Sequence, residues 1–168
     1  MATTAVQRLS SEIPNYTHFS REIFKLKKQK RYVVPVNSFT IGDRIRIVVQ
    51  PDYDKIRKFY IRLKNGSEVV LNFEANTEQN EDDNPNPTHV NFNTYCNGAW
   101  ETEEPTAGRH SFTTNEIYTI EFSPSGHHSV YVRVNGQNIH EFRERHNGFK
   151  VSTLEIEGNI TIHSLHLP

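Results

Sequence analysis

The chain has 168 residues, of which 35% are apolar and 23% charged, and its 19 Lys and Arg against 20 Asp and Glu give a formal net charge of -1. That length suits one domain with a self-sufficient core, and the near-balance of charge excludes a strong bulk attraction to nucleic acid or to an anionic membrane. No run approaches the roughly 18 apolar residues that a membrane helix needs, and a lone cysteine, Cys96, excludes an intrachain disulfide.

The opening MATTAVQRLSSEIPN lacks the apolar stretch of a signal peptide. With the single thiol, this points to a cytoplasmic protein, exported, if at all, by a non-classical route. Residues 1–30 show little periodicity and end in the basic run Lys25-Leu26-Lys27-Lys28-Gln29-Lys30-Arg31, so they read as an N-terminal extension before a domain spanning 31–168. From Tyr32 onward the pattern is of short strands and turns. Phe39-Thr40-Ile41 and Ile45-Arg46-Ile47 alternate around Gly42-Asp43. Phe59, Ile61 and Leu63 share one face, Asn65-Gly66 marks a tight hairpin, and Val69, Leu71 and Phe73 resume the alternation. Glu78 to Pro87 is acidic and Pro-bearing, which suits a solvated loop.

Strand signals return at Val90–Thr94, Ile117–Phe122, Ser129–Val134 and Asn138–Phe142, the last two separated by Asn135-Gly136. Val151–Ile156 and Ile160–Leu165 close the chain around Gly158-Asn159, and no helix-length amphipathic stretch follows residue 32. Many short strands with frequent turns predict an all-β sandwich or barrel, each sheet hiding one apolar face.

Alternation has a second consequence. If Val69, Leu71 and Phe73 point inward, Asn72, Glu74 and Asn76 line one outward stripe, and Asn91 and Asn93 line a neighbouring strand by the same parity. Trp100 follows, with Glu101, Glu103 and Glu104 beyond it. Amides and carboxylates beside a flat aromatic suit a sugar, whose hydroxyl rim takes hydrogen bonds and whose C–H face packs on a ring. On the residues alone, Trp100 is equally an inter-sheet aromatic and the amides ordinary surface groups.

The stretch Asn93-Thr94-Tyr95-Cys96-Asn97-Gly98-Ala99-Trp100-Glu101-Thr102-Glu103-Glu104 resembles the galectins in its asparagine, the seven-position step to tryptophan and the glutamate three residues later. Phe39–Ile45, Val132–Gly136 and Leu154–Ile160 also resemble framework strands of that family, so the resemblance covers roughly residues 31–167. It implies a two-sheet antiparallel jelly-roll sandwich of the concanavalin A-like kind and a non-catalytic, metal-free and cofactor-free lectin for β-galactosides. Its partners would be glycans or glycoproteins, with homodimers formed through edge strands. By the same resemblance Trp100 stacks on galactose, Asn93 bonds near the exocyclic hydroxyl, and Glu103 accepts from hydroxyls of two adjoining sugars. Where galectins carry histidine, asparagine and arginine at alternate positions, this chain has Asn72, Glu74 and Asn76, and a second family arginine falls on Pro105. Two guanidinium forks are thus missing and a carboxylate has entered, which predicts weakened or altered galactoside recognition, or a scaffold that contacts protein instead.

Other candidates carry less. His127-His128, His140 and His146 match no zinc spacing and read as surface imidazoles. Glu103 with Glu104, or Glu74 opposite Glu103, lacks the supporting groups of a glycosidase pair. Cys96 has no CxxC partner and reads as an unreactive thiol, and Arg143-Glu144-Arg145-His146 as a solvated charged edge. Asn15-Tyr16-Thr17 and Asn65-Gly66-Ser67 fit the glycosylation pattern, which the expected cytoplasmic location leaves unoccupied.

Overall fold

A computed structural model describes residues 19–168 except Asp54, Ile56, 79–88, His127 and 147–149. Strands dominate the described residues: β1 (Arg21–Phe24), β2 (Arg31–Pro35), β3 (Ile45–Pro51), β4 (Lys58–Asn65), β5 (Glu68–Glu78), β6 (Asn91–Cys96), β7 (Ala99–Trp100), β8 (Glu104–Pro105), β9 (Phe112–Thr113), β10 (Tyr118–Ser125), β11 (Ser129–Val134), β12 (Gln137–Arg143), β13 (Thr153–Gly158) and β14 (Ile160–Leu167). One sheet runs β1-β14-β3-β10-β11-β12 and the other β2-β13-β4-β5-β6-β7, with β8 also on β6 and β9 on β5. All pairings are antiparallel except the short β5–β9 contact. The result is the two-sheet jelly-roll sandwich expected.

Side-chain alternation builds the core. Ile45, Ile47 and Val49 of β3 and Ile120 and Phe122 of β10 are fully buried, facing Ile61 and Leu63 of β4 and Leu71 and Phe73 of β5. Phe73 is the hub of an aromatic cluster, its ring centroid lying 6.1 Å from Phe59, 5.8 Å from Phe92, 6.0 Å from Phe112 and 5.9 Å from Phe122. The pairs with Phe92, Phe112 and Phe122 are edge-to-face, the arrangement that aromatic quadrupoles favour.

Both Asn-Gly signals are hairpin turns. At β11–β12, Asn135 and Gly136 have φ of 49° and 82°, the doubly left-handed geometry whose twist matches the flanking strands. Gly158 serves differently. It passes the chain from one sheet to the other at φ +134°, and a Cβ there would lie 2.7 Å from Phe59 Cβ.

Three expectations are corrected. Phe39-Thr40-Ile41 is a turn rather than a strand, because the Asp43 carboxylate accepts from the Thr40 amide (2.8 Å) and from the Ser38 hydroxyl (2.5 Å), which bends the segment back. Val69 does not share the face of Leu71 and Phe73. The register of β5 shifts after Val69, which pairs with Tyr95 while Asn72 pairs with Asn93, so the bulge turns Val69 to the outer side. His140 is not a surface imidazole. Its ring stacks on Phe92 at 4.4 Å with a 10° interplanar angle, and its Nε2 lies 2.6 Å from Glu104 Oε1.

Residues 79–88, which hold nearly all of the acidic loop, lie outside the described residues, as do His127 and Asn15. Within the stretch read as an N-terminal extension, Arg21–Phe24 adds β1 to the edge at β14, and Lys30 O accepts from Gly158 N at 3.0 Å. Among the described residues no helix is long and apolar enough to cross a membrane.

Candidate functional site

The outer face of the second sheet carries a groove of about 460 Å³. Six of the residues singled out from sequence line it: Asn72 and Glu74 from β5, Asn91 and Asn93 from β6, Trp100 from β7 and Glu103 from the segment between β7 and β8. Backbone register explains the grouping, since Asn72 pairs with Asn93 and Glu74 with Asn91, which puts the four side chains on one face. Asn76 pairs with Lys58 at the far end of β5 and is not among the lining residues. Trp100 does not lie between the sheets. It is 48% exposed, its ring 5.3 Å from that of Tyr95, its cross-strand partner.

Hydrogen bonds separate the supporting groups from the available ones. Asn93 is buried and committed, its Nδ2 donating to Glu101 O (2.9 Å) and its Oδ1 accepting from Thr94 N (2.8 Å) and Arg145 Nη1 (3.2 Å). Asn72 uses its Oδ1 to accept from Arg62 Nε at 3.1 Å, while its amide nitrogen has no partner among the described residues. Glu74 accepts from Lys58 Nζ at 2.5 Å. Asn91 and Glu103 make no side-chain hydrogen bond among the described residues, and Glu103 is exposed. The groups open to a ligand are therefore the Asn72 and Asn91 amides, the Glu103 carboxylate and the indole face.

Glu101, noted in the sequence only as following Trp100, also lines the groove, and Tyr60 and Arg62 line it and were missed from sequence. The signal was present. Tyr60 and Arg62 alternate with the buried Phe59, Ile61 and Leu63, and the Asn65-Gly66 turn sets Arg62 opposite Asn72 and Tyr60 opposite Glu74. The Arg62 guanidinium lies 4.7 Å from the Tyr60 ring centroid and donates through Nη1 to Glu155 (2.9 Å) and Glu157 (2.5 Å). A cation absent from β5 thus enters from β4, its charge already shared with Glu155 and Glu157 and its Nε and Nη1 donors engaged.

Electrostatics lock this floor. Burial pushes the Glu155 carboxyl up, but hydrogen bonds from Arg31 and Arg62, with Lys64 nearby, outweigh it and hold the group below the usual carboxylate range. The unfolded chain then binds a proton more readily than the folded one. The stabilisation from Glu155 is therefore present above its unfolded value of about 4.5 and disappears as pH falls through the lowered folded value. Thermal melts from pH 7 to pH 2 should show an acid limb that Glu155→Gln flattens; a limb unchanged by that substitution contradicts the assignment. Lys58 is raised by its hydrogen bond to Glu74, against burial, with the Glu74, Tyr60 and Glu103 charges adding. At the other end, Glu101 is lowered by its hydrogen bond to His146, opposed by burial and reinforced by the His146 charge and by Arg145.

The two-layer jelly roll, with a polar groove and a half-exposed indole on one sheet, defines a lectin-type β-sandwich. The sequence profile of the galactoside-binding lectins matches residues 31–167, and the chain belongs to that family, the galectins. Galectin LEC-6 of Caenorhabditis elegans is 32% identical, with 89% of this chain and 96% of that one covered and a TM-score of 0.72. CG-16, a homodimeric agglutinin from chicken liver, is 21% identical over 80% of this chain and 97% of its own, with a TM-score of 0.66. Sheep galectin-11, solved with glycerol, is 18% identical over 83% and 98% at a TM-score of 0.66, a likeness of fold. A search of curated proteins found no match. Family and fold together make the protein a carbohydrate-binding lectin.

Proposed function

We propose that the groove over β4, β5 and β6 holds a glycan without catalysis, with Trp100 packed on the sugar face, and that β-galactoside recognition is weakened or altered. The observation that carries this reading is the half-exposed Trp100 in one groove with the unengaged Asn91 and Glu103. A sugar hydroxyl can donate to Glu103 and accept from Asn91 without disturbing any existing bond. The nearest guanidinium is different, because Arg62 is bound to Asn72, Glu155 and Glu157. A charge-assisted bond contributes about 1.5–3 kcal/mol, so a galactoside that meets a guanidinium already neutralised by Glu155 and Glu157 forgoes much of a tenfold to hundredfold gain in affinity.

Partners on this reading are glycans or glycoproteins. Two copies would meet through edge strands β1 and β2, where Phe24 and Val33 are exposed. A cytoplasmic site of residence, with non-classical export, belongs to the same reading. Saturable signals on a glycan array, confirmed by calorimetry and lost in Trp100→Ala, are the expected result. A second reading, a protein-docking module without sugar binding, draws on the internal engagement of Asn72 by Arg62 and of Glu74 by Lys58. Robust calorimetric binding of a simple galactoside excludes it.

A further inference from the structure

We propose, resting on the glycan reading of this groove, that it selects uncharged glycans and excludes those carrying sulfate or a carboxylate on the sugar seated between Asn91 and Glu103. Three cations reach the groove and its ends, and each is already held. Arg62 gives Nη1 to Glu155 at 2.9 Å and Glu157 at 2.5 Å, and Nε to Asn72 at 3.1 Å. Lys58 gives Nζ to Glu74 at 2.5 Å. Arg145 reaches Asn93 at 3.2 Å, Glu101 at 3.5 Å and Glu104 at 3.3 Å.

Each of these cations is already paired with at least one carboxylate, so an anionic substituent that reaches a spare donor must compete with that carboxylate for the charge. Drawing Lys58 away would leave the Glu74 side chain, only 14% exposed, without its ion-pair partner where water compensates poorly, and drawing Arg62 away would strip the buried Glu155 of one of its three cations. Glu103 meanwhile is an exposed carboxylate with no ion pair among the described residues. It repels a second anion and accepts a hydroxyl. Pocket chemistry of this kind discriminates by rejection as much as by attraction. A neutral hydroxyl-bearing sugar asks nothing of these ion pairs and uses only the groups left open.

The test is an array on which neutral glycans, N-acetyllactosamine among them, stand beside their sulfated and sialylated counterparts, read with the full chain at low and physiological salt. Each neutral glycan that binds should exceed its charged counterpart at least tenfold. Added salt should narrow the gap, because surface repulsion is screened, and Glu103→Gln should narrow it too. Charged counterparts binding equally or more tightly overturn the charge selection and leave the glycan site standing. Silence from neutral and charged glycans alike overturns the glycan reading itself.

Discussion

Replacing Trp100 by alanine is expected to weaken glycan binding by about thirtyfold or more while the fold survives. Truncating a tryptophan at the centre of a contact typically costs about 2 kcal/mol or more, which corresponds to that factor in the dissociation constant. No other aromatic in the groove offers an equivalent surface, because the Tyr60 ring is already covered by the Arg62 guanidinium. Folding should suffer little. Trp100 is 48% exposed, and its ring contact is with Tyr95, so the loss in stability should stay within about 1.5 kcal/mol. Calorimetry and a thermal melt on the same preparation separate the two effects. Retained affinity in a folded Trp100→Ala chain removes the indole from the site.

Phe73→Ala should produce the largest loss of stability, about 3–5 kcal/mol. The ring is fully buried and touches four other phenylalanines from strands of both sheets. Its removal leaves a cavity that the rigid β-sandwich fills poorly. Domains of this size are stable by only about 5–15 kcal/mol in total, so a large share of the molecule's stability would go. Phe73 also lies between Asn72 and Glu74, so loosening it releases the groove floor. Urea titration measures the loss, and Phe73→Leu, which refills most of the volume, should cost distinctly less. Equal losses for both variants contradict a packing origin.

Most of the fold was legible because hydrophobic alternation is a direct record of which face is buried. Ser129–Val134 was placed at its observed bounds, and the two Asn-Gly hairpins fell where the chain turns left-handed, at Gly66 in one and at both Asn135 and Gly136 in the other. The features that escaped are those that alternation does not encode. The bulge at Val69 breaks the parity on which the reading depended, and β7, β8 and β9 are too short to show a period. The turn at 39–43 is imposed by a side chain, Asp43, not by an apolar pattern.

Within the site, parity along β5 and β6 was enough to gather Asn72, Glu74, Asn91 and Asn93. Arg62 required a further step, carrying the register across the hairpin to the neighbouring strand. The engagement of Asn93, Lys58 and Arg145 depends on distances that no spacing rule supplies.

The chain contains one tryptophan, so its indole emission reports on Trp100 alone. A fluorescence titration with a neutral glycan that binds on the array therefore addresses the groove directly. Sugar packed on the half-exposed ring should displace water, shift the emission to shorter wavelength and saturate at the affinity found by calorimetry. Saturable calorimetric binding with unaltered emission would place the glycan elsewhere on the molecule and contradict the account.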